Sequence, residues 1–509
     1  MTTETKRYDV AILGAGPGGY VCALDCARLG LKTALIEARE LGGTCLNRGC
    51  IPTKTLLHSA EVYREALEAA KFGVSATDVS FDYSVANARR EKVVAQSRTG
   101  IKNLEKAAGV DVLFGRGVLT SATTIRVEPT AASAADAEPF EIEAEKIVVA
   151  TGANSSRPPI PGLDSPEVWT SDELLTASAL PESAVIVGGG VIGVEFATLL
   201  AALGKKVTIL EGAPGILLAV DPELTKLLAR QFKKWKIDVK TGVKVTKIDA
   251  NVGVGAENSE TAQNGEAAQN GEAAQNEEGG EASSISSAAS APVETVVSFE
   301  EKGEIKTVAA ERCVVCVGRS PATRGLGLEA AGVATTARGF VEVDEFLRTN
   351  VPNIFAIGDA TGKIQLAHVA SEQARVAARA CAGKFDVAMN YDVVPSCVYS
   401  TPEIGLVGLS ESAATEAGLA VEVGTFRVPA NGRAQSAGVD SGLVKVVADA
   451  ATGKLLGAQM LAPRATDMIA EVAVALKAGL TAAEFVATIH PHPTFSEALQ
   501  DAARSIVEK

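Results

Sequence analysis

At the start of the chain, two apolar runs are separated by a glycine-rich turn and a segment of helical length. Tyr8–Leu13 and Thr33–Glu37 are short and apolar, a pattern typical of buried strands. Between them lie the turn Gly14–Gly19 and the segment Tyr20–Leu29, whose length suits a helix. The pattern predicts a strand–turn–helix–strand unit of a parallel sheet.

The same plan recurs in the middle of the chain. Ser183–Val187 and Lys206–Glu211 are again strand candidates, and Gly188–Gly193 and Val194–Leu203 supply the turn and the helix. Two copies of one nucleotide-binding unit imply two Rossmann-like dinucleotide-binding domains. The predicted fold class is therefore α/β.

The remaining segments are less regular. Thr53–Ala70 and Asp82–Ala108 read as helices that lie between the two copies. Beyond about Asp392, mixed α/β patterns end in helices around Ala465–Ala478 and Phe495–Val507, with no glycine-rich turn. The pattern of this tail predicts an α+β C-terminal domain, and we expect this domain to form a dimer interface.

Residues 251–292 break the pattern. They hold imperfect repeats of Ala-Gln-Asn-Gly-Glu-Ala and then a Ser/Ala-rich run with almost no large apolar side chain. Such a segment cannot bury enough surface to offset its ordering entropy, which predicts a disordered insertion. Because strand-like Asp238–Ile248 and Glu294–Phe299 flank it, we expect it at a surface hairpin tip, where extra loop length costs little.

Composition narrows the possible partners. The chain of 509 residues is long enough for several domains, and a formal charge of −14 leaves no basic excess to bind nucleic acid. The sequence contains no uninterrupted run of about 18 apolar residues, so no membrane span is predicted. The polar N-terminus lacks the apolar region of a secretory signal. Eight cysteines in a chain of this length form no disulfide framework, so we expect a cytoplasmic protein whose close-set reactive cysteines are catalytic.

Both glycine-rich turns carry the dinucleotide fingerprint. Gly14, Gly16 and Gly19 follow a strand and open a helix, so a pyrophosphate can approach the backbone and the helix N-terminus. Glu37 ends the second strand, where a carboxylate accepts hydrogen bonds from a ribose.

In the second copy, Gly188, Gly190 and Gly193 repeat this spacing and Glu211 repeats the acid. A carboxylate at Glu211 would repel the 2′-phosphate of NADP and bind the free 2′-hydroxyl of NAD. The second site is therefore expected to prefer NAD.

Cys45 and Cys50 stand shortly after the first ribose acid. On a regular helix their Cα atoms would lie roughly 8–9 Å apart, beyond the ~7 Å limit for a disulfide. A redox disulfide, the favoured hypothesis, therefore requires a distorted turn, for which Asn47-Arg48-Gly49 is suited. A helix start and the nearby Arg48 and Lys54 would lower the pKa of these thiols. Two ordinary thiols or half of a metal site remain alternatives, although no further metal ligands flank the segment and no metal is predicted.

The other cysteines are expected to have structural roles. Cys313 and Cys316 lie in an apolar strand and are predicted to be core residues, while Cys22 and Cys26 are spaced for packing on one helix.

Near the C-terminus, His490-Pro-His492-Pro-Thr-Phe-Ser-Glu497 holds two of the four histidines of the chain. Thiol–disulfide exchange needs a base for the attacking thiol and an acid for the leaving one, and histidine serves both at neutral pH. Glu497 could fix the tautomer of such a histidine. The segment predicts an acid–base pair, with a structural turn as the alternative.

Together these segments resemble the flavoprotein disulfide reductase family, and within it the members that oxidise dihydrolipoamide. The matching motifs span almost the entire chain: Gly14–Gly19, Gly42–Lys54, Ala150–Gly152, Gly188–Glu195, Gly318–Arg319, Gly358–Asp359, Leu366–His368 and His490–Glu497.

The resemblance implies FAD at the first fingerprint and NAD at the second. It places Glu37 on the FAD ribose, Asp359 on the ribityl chain and Lys54 near the flavin, paired with Glu195. The implied FAD-binding residues are Gly14, Gly16, Gly19, Glu37, Gly43, Thr44, Lys54, Gly117, Thr151, Gly152, Asp359 and Ala367. The implied NAD-binding residues are Gly188, Gly190, Gly193, Glu195, Glu211, Val245 and Gly318.

The resemblance also implies the reaction and its partners. Cys45 would exchange with dihydrolipoamide, Cys50 would contact the flavin, and His492 with Glu497 would reach the site from the other subunit of a homodimer. The lipoyl group would come from another protein, either the acyltransferase of a 2-oxo acid dehydrogenase complex or the H protein of glycine cleavage.

The implied domains are 1–152 and 319–390 for FAD, 153–318 for NAD and 391–509 for dimerisation. A glutathione-reductase-like enzyme is the main alternative, but such an enzyme prefers NADP and would have basic residues at the position of Glu211. A mercuric-reductase-like enzyme would carry a C-terminal cysteine pair, and none follows Cys397. A non-catalytic flavoprotein scaffold would not need both cysteines and His492.

Overall fold

The structure, a computed structural model, describes residues 5–253 and 293–508. The N-terminal elements, in chain order, are β1 (Lys6–Leu13), α1 (Pro17–Arg28), β2 (Thr33–Glu37), α2 (Gly43–Arg48), α3 (Cys50–Glu68), α4 (Tyr83–Ala108), β3 (Asp111–Phe114), β4 (Arg116–Leu119), β5 (Thr124–Glu128), β6 (Phe140–Val149) and β7 (Ala153–Ser155). A 3₁₀ turn, Ala69–Phe72, follows α3.

The middle elements contain the second predicted unit. They are β8 (Val168–Trp169), α5 (Ser171–Thr176), β9 (Ser183–Val187), α6 (Val191–Ala202), β10 (Lys206–Glu211), α7 (Pro222–Lys234), β11 (Asp238–Thr241), β12 (Lys244–Gly253), β13 (Val293–Glu301), β14 (Glu304–Ala310), β15 (Arg312–Val315) and β16 (Arg319–Pro321).

The C-terminal elements begin with a strand that returns to the first sheet. They are β17 (Ile354–Ala356), α8 (Ala367–Cys381), β18 (Ser396–Val398), β19 (Glu403–Gly408), α9 (Glu411–Glu416), β20 (Val421–Arg427), α10 (Gly432–Ser436), β21 (Leu443–Asp449), β22 (Leu455–Ala462), α11 (Ala465–Ala478), α12 (Ala482–Ala487) and α13 (Glu497–Val507). Two 3₁₀ turns, Gly358–Thr361 and Val428–Ala430, lie among them.

The first sheet has the strand order β3-β2-β1-β6-β5-β4, and β17 adds beside β6. Strands β3, β2, β1, β6 and β17 pair in parallel, whereas β5 and β4 pair antiparallel. Along β1, Val10 and Ile12 pack with α1 and α8, and Ala11 and Leu13 pack on the opposite face. Burial on both faces explains why β1 reads as one continuous apolar run.

The second sheet repeats this arrangement in the order β11-β10-β9-β15-β8, with parallel pairing. An antiparallel ribbon, β12-β13-β14, covers one of its faces through side chains such as Val297 and Phe299. The α/β fold class and the two Rossmann-like units are therefore confirmed. The third predicted part is the antiparallel sheet β18-β19-β22-β21-β20, on which α11 and α13 pack.

Strands Thr33–Glu37, Ser183–Val187 and Lys206–Glu211 are confirmed with their predicted bounds. Helices α1 and α6, however, begin three residues earlier than predicted, at Pro17 and Val191. The prediction assigned the last fingerprint glycines to the turn, whereas these glycines belong to the first helical turn.

The segment predicted as one strand, Asp238–Ile248, is two strands separated by Gly242, whose φ of 68° breaks the extended backbone. Strands β12 and β13 pair antiparallel as far as Gly253 and Val293, so the predicted hairpin flanks are present. The predicted disordered insertion began at about residue 251, but residues 251–253 belong to β12. Its remaining residues, 254–292, lie outside the described residues.

An ionic cluster around the buried Lys445 joins the second unit to the C-terminal sheet. The ammonium of Lys445 on β21 lies 2.8 Å from Asp221, 3.0 Å from Glu223 and 2.9 Å from Glu411. Burial alone would lower the pKa of Lys445, but hydrogen bonds to these carboxylates raise it above its ordinary value. Gln459 extends the contact by accepting from the backbone N–H of Asp221 at 2.6 Å.

In the described part of the chain, no helix combines the length and the apolar character that crossing a bilayer demands.

Candidate active site

One large cavity, about 1870 Å³ in volume, lies between the two glycine-rich turns and the segment that holds Cys45 and Cys50. Most of the predicted cofactor-binding residues line it: Gly14, Gly16, Glu37, Gly43, Thr44, Lys54, Gly117, Thr151, Gly152, Gly188, Gly190, Glu195, Glu211, Val245, Gly318, Asp359 and Ala367. Of the predicted residues that the structure describes, Gly19, Gly193, His492 and Glu497 are not on the cavity wall.

The first turn shows why each glycine is needed. Gly14 has a φ of 98°, and a Cβ there would lie 2.6 Å from the carbonyl oxygen of Ala150. Gly16 faces open space apart from Gly43 at 3.9 Å, so a ligand can approach the backbone. A Cβ on Gly19 would lie 1.8 Å from the Gly14 carbonyl oxygen, so this glycine permits helix packing instead of lining the cavity.

The second turn repeats this geometry. A Cβ on Gly188 would meet the Cys316 carbonyl oxygen at 2.4 Å, and one on Gly193 would meet the Gly188 carbonyl oxygen at 2.0 Å. No described atom lies within 4 Å of a Cβ built on Gly190. Two turns with one steric pattern can each hold a dinucleotide pyrophosphate.

The two predicted ribose acids are held alike. Glu37 accepts hydrogen bonds from the backbone N–H groups of Ala15 and Arg39 at 2.7 and 2.8 Å, and Glu211 accepts from Gly189 and Ala213 at 2.5 and 2.6 Å. Burial raises the pKa of Glu37, and the hydrogen bonds from the N–H groups of Ala15 and Arg39 oppose this rise.

Lys205, one of the two lysines at the start of β10, serves another contact. Lys205 binds Glu182 at 2.5 Å, at the start of β10, and is thus occupied away from the ribose acid at the end of that strand. This arrangement favours a nucleotide without a 2′-phosphate.

Cys45 and Cys50 are joined by a disulfide, and their Cα atoms are 4.7 Å apart. The required distortion lies at Gly49, whose φ of −144° and ψ of −112° separate α2 from α3. A Cβ on Gly49 would lie 3.1 Å from the Thr44 carbonyl oxygen, so this break favours glycine. Among the described residues, no group of three or more His, Cys, Asp or Glu side chains could hold a metal, which leaves the half-metal-site alternative without ligands.

The two cations expected to activate these thiols are both ion-paired. Lys54 binds Glu195 at 2.8 Å and lies 4.4 Å from the centre of the Tyr399 ring, and Arg48 lies 2.9 Å from Glu40. Carboxylates therefore offset the charges of both cations beside the cysteine segment.

His492 and Glu497 form the predicted pair. His492 Nδ1 lies 2.8 Å from a Glu497 oxygen, and the Thr494 backbone N–H donates to the other oxygen at 2.7 Å. The Thr494 N–H and then His492 lower the pKa of Glu497. The His492 side chain is 76% exposed, and within one chain this pair does not border the cavity that holds the disulfide.

Three cavity residues were given no site role from the sequence, although Arg319 stands in the motif Gly318–Arg319. Arg319 lies 3.5 Å from Asp359. Burial raises the pKa of Asp359, and the positive charge of Arg319 opposes that rise. The Tyr399 backbone N–H donates to Glu195 at 3.1 Å. Gln365 directly precedes the motif Leu366–His368, and this position is the sequence feature that could have indicated it.

Two buried polar atoms on the cavity wall fit a bound cofactor. Thr151 Oγ1 and Gln365 Nε2 are shielded from solvent and have no hydrogen-bond partner among the described residues. Buried polar groups are normally paired, so a ligand with polar groups suits this wall. Together with the open backbone at Gly16, these atoms fit the FAD that the resemblance implies.

The free cysteines only partly follow their predicted roles. Cys313 is buried, and burial raises its pKa to about 12. Cys316 lies just after β15, is partly buried and packs against a core cluster, but it also lines the cavity, so the core assignment holds only in part. Cys22 and Cys26 pack in the core with their sulfurs 4.0 Å apart, and Cys381 lies beside them.

Comparison with known families identifies two matching regions. The family model described as pyridine nucleotide-disulphide oxidoreductase matches residues 8–374, and the model for the dimerisation domain of that family matches residues 394–503.

Full-length relatives share more than a third of their residues with this chain. A dihydrolipoyl dehydrogenase of Chlorobaculum parvum is 39% identical, with 98% of this chain and 97% of the relative covered. A dihydrolipoyl dehydrogenase of Bacillus subtilis is 39% identical, with 99% and 98% covered.

Solved structures show the same architecture. LpdA from Mycobacterium tuberculosis superposes with a TM-score of 0.82 at 26% identity, covering 98% of this chain and 99% of that one. The HOCl-induced flavoprotein disulfide reductase RclA from Escherichia coli, in its Cu(II) complex, superposes with a TM-score of 0.81 at 29% identity and the same coverage.

Proposed function

The chain belongs to the pyridine nucleotide-disulphide oxidoreductase family, and we propose that it oxidises protein-bound dihydrolipoamide with NAD, the activity of a dihydrolipoyl dehydrogenase. The observation that carries this proposal is the position of the Cys45–Cys50 disulfide, which borders the same cavity as both glycine-rich turns. A dithiol and two dinucleotides can therefore meet in one space.

The exchange step is thiol chemistry at Cys45. A thiolate of dihydrolipoamide attacks the Cys45 sulfur, the Cys45–Cys50 bond breaks, and Cys50 leaves as a thiolate. The second lipoyl thiol then attacks the mixed disulfide, so that cyclic lipoamide departs and Cys45 is left reduced. Two electrons and two thiol protons have then moved from the lipoyl group to the enzyme and its base.

We assign the base to His492 with Glu497. The Glu497 carboxylate accepts from Nδ1 and thereby leaves Nε2 free to take the proton of the attacking thiol. Because this pair lies away from the cavity of its own chain, we propose that it serves the site of a second copy in a homodimer. The match of residues 394–503 to a dimerisation domain supports this arrangement.

FAD is assigned to the cavity wall around Gly14, Gly16, Glu37 and Asp359, and NAD to the wall around Gly190 and Glu211. When bound, FAD supplies a two-electron relay between the reduced cysteines and NAD. The chain positions both ligands through glycine backbone, ribose acids and helix N-termini.

The remaining predicted residues keep their assignments as proposals. They are Gly19, Gly43, Thr44, Lys54, Gly117, Thr151, Gly152 and Ala367 for FAD, and Gly188, Gly193, Glu195, Val245 and Gly318 for NAD.

We also propose the division into 1–152 and 319–390 around FAD, 153–318 around NAD and 391–509 for dimerisation. The return of β17 to the first sheet supports the split FAD domain. A cytoplasmic location is proposed because the other six cysteines are free thiols, as a reducing compartment maintains them. The partner would be a lipoyl-bearing acyltransferase or glycine cleavage H protein.

The direct test is NADH formation by the purified, FAD-loaded protein with dihydrolipoamide and NAD. We expect Cys45→Ser and Cys50→Ser to abolish turnover, while Cys381→Ala, which changes a thiol away from the cavity, retains it. Faster reduction of glutathione disulfide with NADPH than oxidation of dihydrolipoamide with NAD would overturn both the substrate and the nucleotide assignment.

A further inference from the structure

Asn47 lies between the two redox cysteines and has all its side-chain hydrogen bonds satisfied inside the protein. Its Nδ2 donates to the carbonyl oxygens of Leu41 at 2.9 Å and Gly43 at 2.8 Å. Its Oδ1 accepts two bonds, both from Arg98. The Asn47 side chain is buried, so these contacts cannot be exchanged freely for water.

Arg98 reaches this asparagine from a different helix. It lies on α4, and its Nε and Nη2 are 3.1 and 2.7 Å from Asn47 Oδ1. Within the described residues, both recorded hydrogen bonds of the Arg98 guanidinium go to Asn47 Oδ1, so this oxygen is the acceptor toward which the guanidinium is directed. A charged donor that makes two bonds to one buried oxygen fixes that oxygen more firmly than a neutral donor would.

The helix that carries Cys45 has little to hold it by itself. Helix α2 spans six residues, a length at which an isolated helix does not form in water. Its start contacts the first glycine-rich turn so closely that a Cβ on Gly43 would lie 2.5 Å from the Cα of Gly16. Asn47 ties the end of α2 to this start, and Arg98 ties Asn47 to the long helix α4.

We propose that Arg98 is a positioning residue for the redox pair and that it acts through Asn47; this inference rests on the proposed cycling of Cys45 and Cys50. With the disulfide closed, the covalent bond holds the break at Gly49. Once the pair is reduced, nothing covalent prevents α2 and α3 from relaxing toward a regular helix, in which the Cα atoms of the cysteines would move roughly 4 Å farther apart. The contact from Arg98 to Asn47 opposes that relaxation and keeps the two thiols close enough to re-form the disulfide.

The proposal predicts a change in the thiol–disulfide equilibrium. The FAD-loaded protein is equilibrated with glutathione and glutathione disulfide, so that two glutathione thiols reduce one protein disulfide and one glutathione disulfide forms. The fraction of open pair is then read by thiol alkylation and mass spectrometry. We expect Arg98→Met to shift this equilibrium toward the dithiol by roughly tenfold, which corresponds to about 30 mV for a two-electron couple.

Three variants separate positioning from other effects. Arg89→Met removes an exposed arginine from the same helix and is expected to leave the equilibrium within twofold of wild type. Arg98→Lys, which can still donate one bond to Asn47, is expected to lie between wild type and Arg98→Met. In an Asn47→Ala background, Arg98→Met should have no further effect, because the residue through which it acts is gone.

Flavin absorbance and the unfolding temperature show that each variant is folded before it is compared. An unchanged equilibrium in folded Arg98→Met, or an undiminished effect in the Asn47→Ala background, would overturn the proposal, the second because it would mean that Arg98 acts by its charge alone. This equilibrium needs no dihydrolipoamide. A wild-type protein that closes and opens its disulfide normally but does not oxidise dihydrolipoamide would therefore refute the proposed substrate and leave the positioning inference standing.

Discussion

The Lys54 ammonium lies 3.0 and 2.8 Å from the two carboxylate oxygens of Glu195, a residue 141 positions away in the chain. The pair joins α3, which begins at Cys50, to α6, which follows the second glycine-rich turn. It therefore links the helix of the redox cysteine to the helix that opens the second nucleotide site.

The two partners of this ion pair are unequally buried, which predicts that replacing each of them lowers the free energy of unfolding by a different amount. The Lys54 side chain is 31% exposed, whereas that of Glu195 is 5% exposed. Lys54→Met leaves a buried carboxylate without a cation and is expected to cost about 3 kcal/mol. Glu195→Gln leaves a lysine that can reach water and is expected to cost about 1 kcal/mol. Thermal unfolding of the variants without bound FAD measures the order of these losses, because Lys54 is also assigned to the flavin, and equal losses would contradict this account.

In the second glycine-rich turn, replacing a glycine by alanine is expected to impair nucleotide binding at one position and stability at another. A Cβ on Gly190 meets no described atom, whereas one on Gly193 would lie 2.0 Å from a carbonyl oxygen. Gly190→Ala should therefore fold normally but weaken NADH binding by roughly tenfold or more, because its methyl group occupies the approach of the pyrophosphate. Gly193→Ala should unfold at a clearly lower temperature.

Calorimetric titration with NADH and thermal unfolding distinguish the two defects. Gly190→Ala that binds NADH as tightly as wild type would show that the pyrophosphate does not lie at this turn.

Glu105 predicts an unusual pH dependence of stability. Its side chain is fully buried on α4, both carboxylate oxygens lack a hydrogen-bond partner, and burial raises its pKa to about 8. The unfolded carboxyl titrates near 4.3. Because the folded pKa is the higher one, the stabilising effect of the neutral acid is complete below about pH 4 and is lost as the pH rises to about 8.

The measurement is the free energy of unfolding across that range. Wild type should lose on the order of 3 kcal/mol between about pH 5 and pH 8 relative to Glu105→Leu, which carries no titrating group at this position. Glu91→Gln, an exposed change on the same helix, should leave the pH profile unaltered. Parallel profiles for wild type and Glu105→Leu would mean that the carboxyl is not neutral in the folded protein.

The features that were predictable from sequence are those carried by neighbouring residues. The glycine spacing at Gly14 and Gly188 and the acids Glu37 and Glu211 depend on one strand–turn–helix unit each, so the pattern locates them. The disulfide could be predicted only together with a distorted turn, because a regular helix cannot bridge Cys45 and Cys50, and the break at Gly49 supplies that distortion.

The features that were missed depend on contacts between distant segments. Arg98 looks like an ordinary surface residue of a polar helix until α4 is packed against α2. Glu105 stands in the same helix, and nothing in its neighbours marks it as buried. Lys445 lies in an apolar strand, and its three carboxylate partners come from two other parts of the chain. Such pairings follow from tertiary packing, which local periodicity does not contain.

The assignment of His492 to the site of another subunit can be tested with mixed dimers. Cys45→Ser and His492→Gln homodimers should each be nearly inactive, because every site lacks either the attacked sulfur or the base. In a dimer with one chain of each kind, a base acting across subunits puts both defects in one site and leaves the other site intact. Such a dimer, purified by two different tags, should recover one-half of wild-type activity in the dihydrolipoamide–NAD assay. If His492 instead served its own chain, both sites would stay defective and the mixed dimer would be as inactive as its parents.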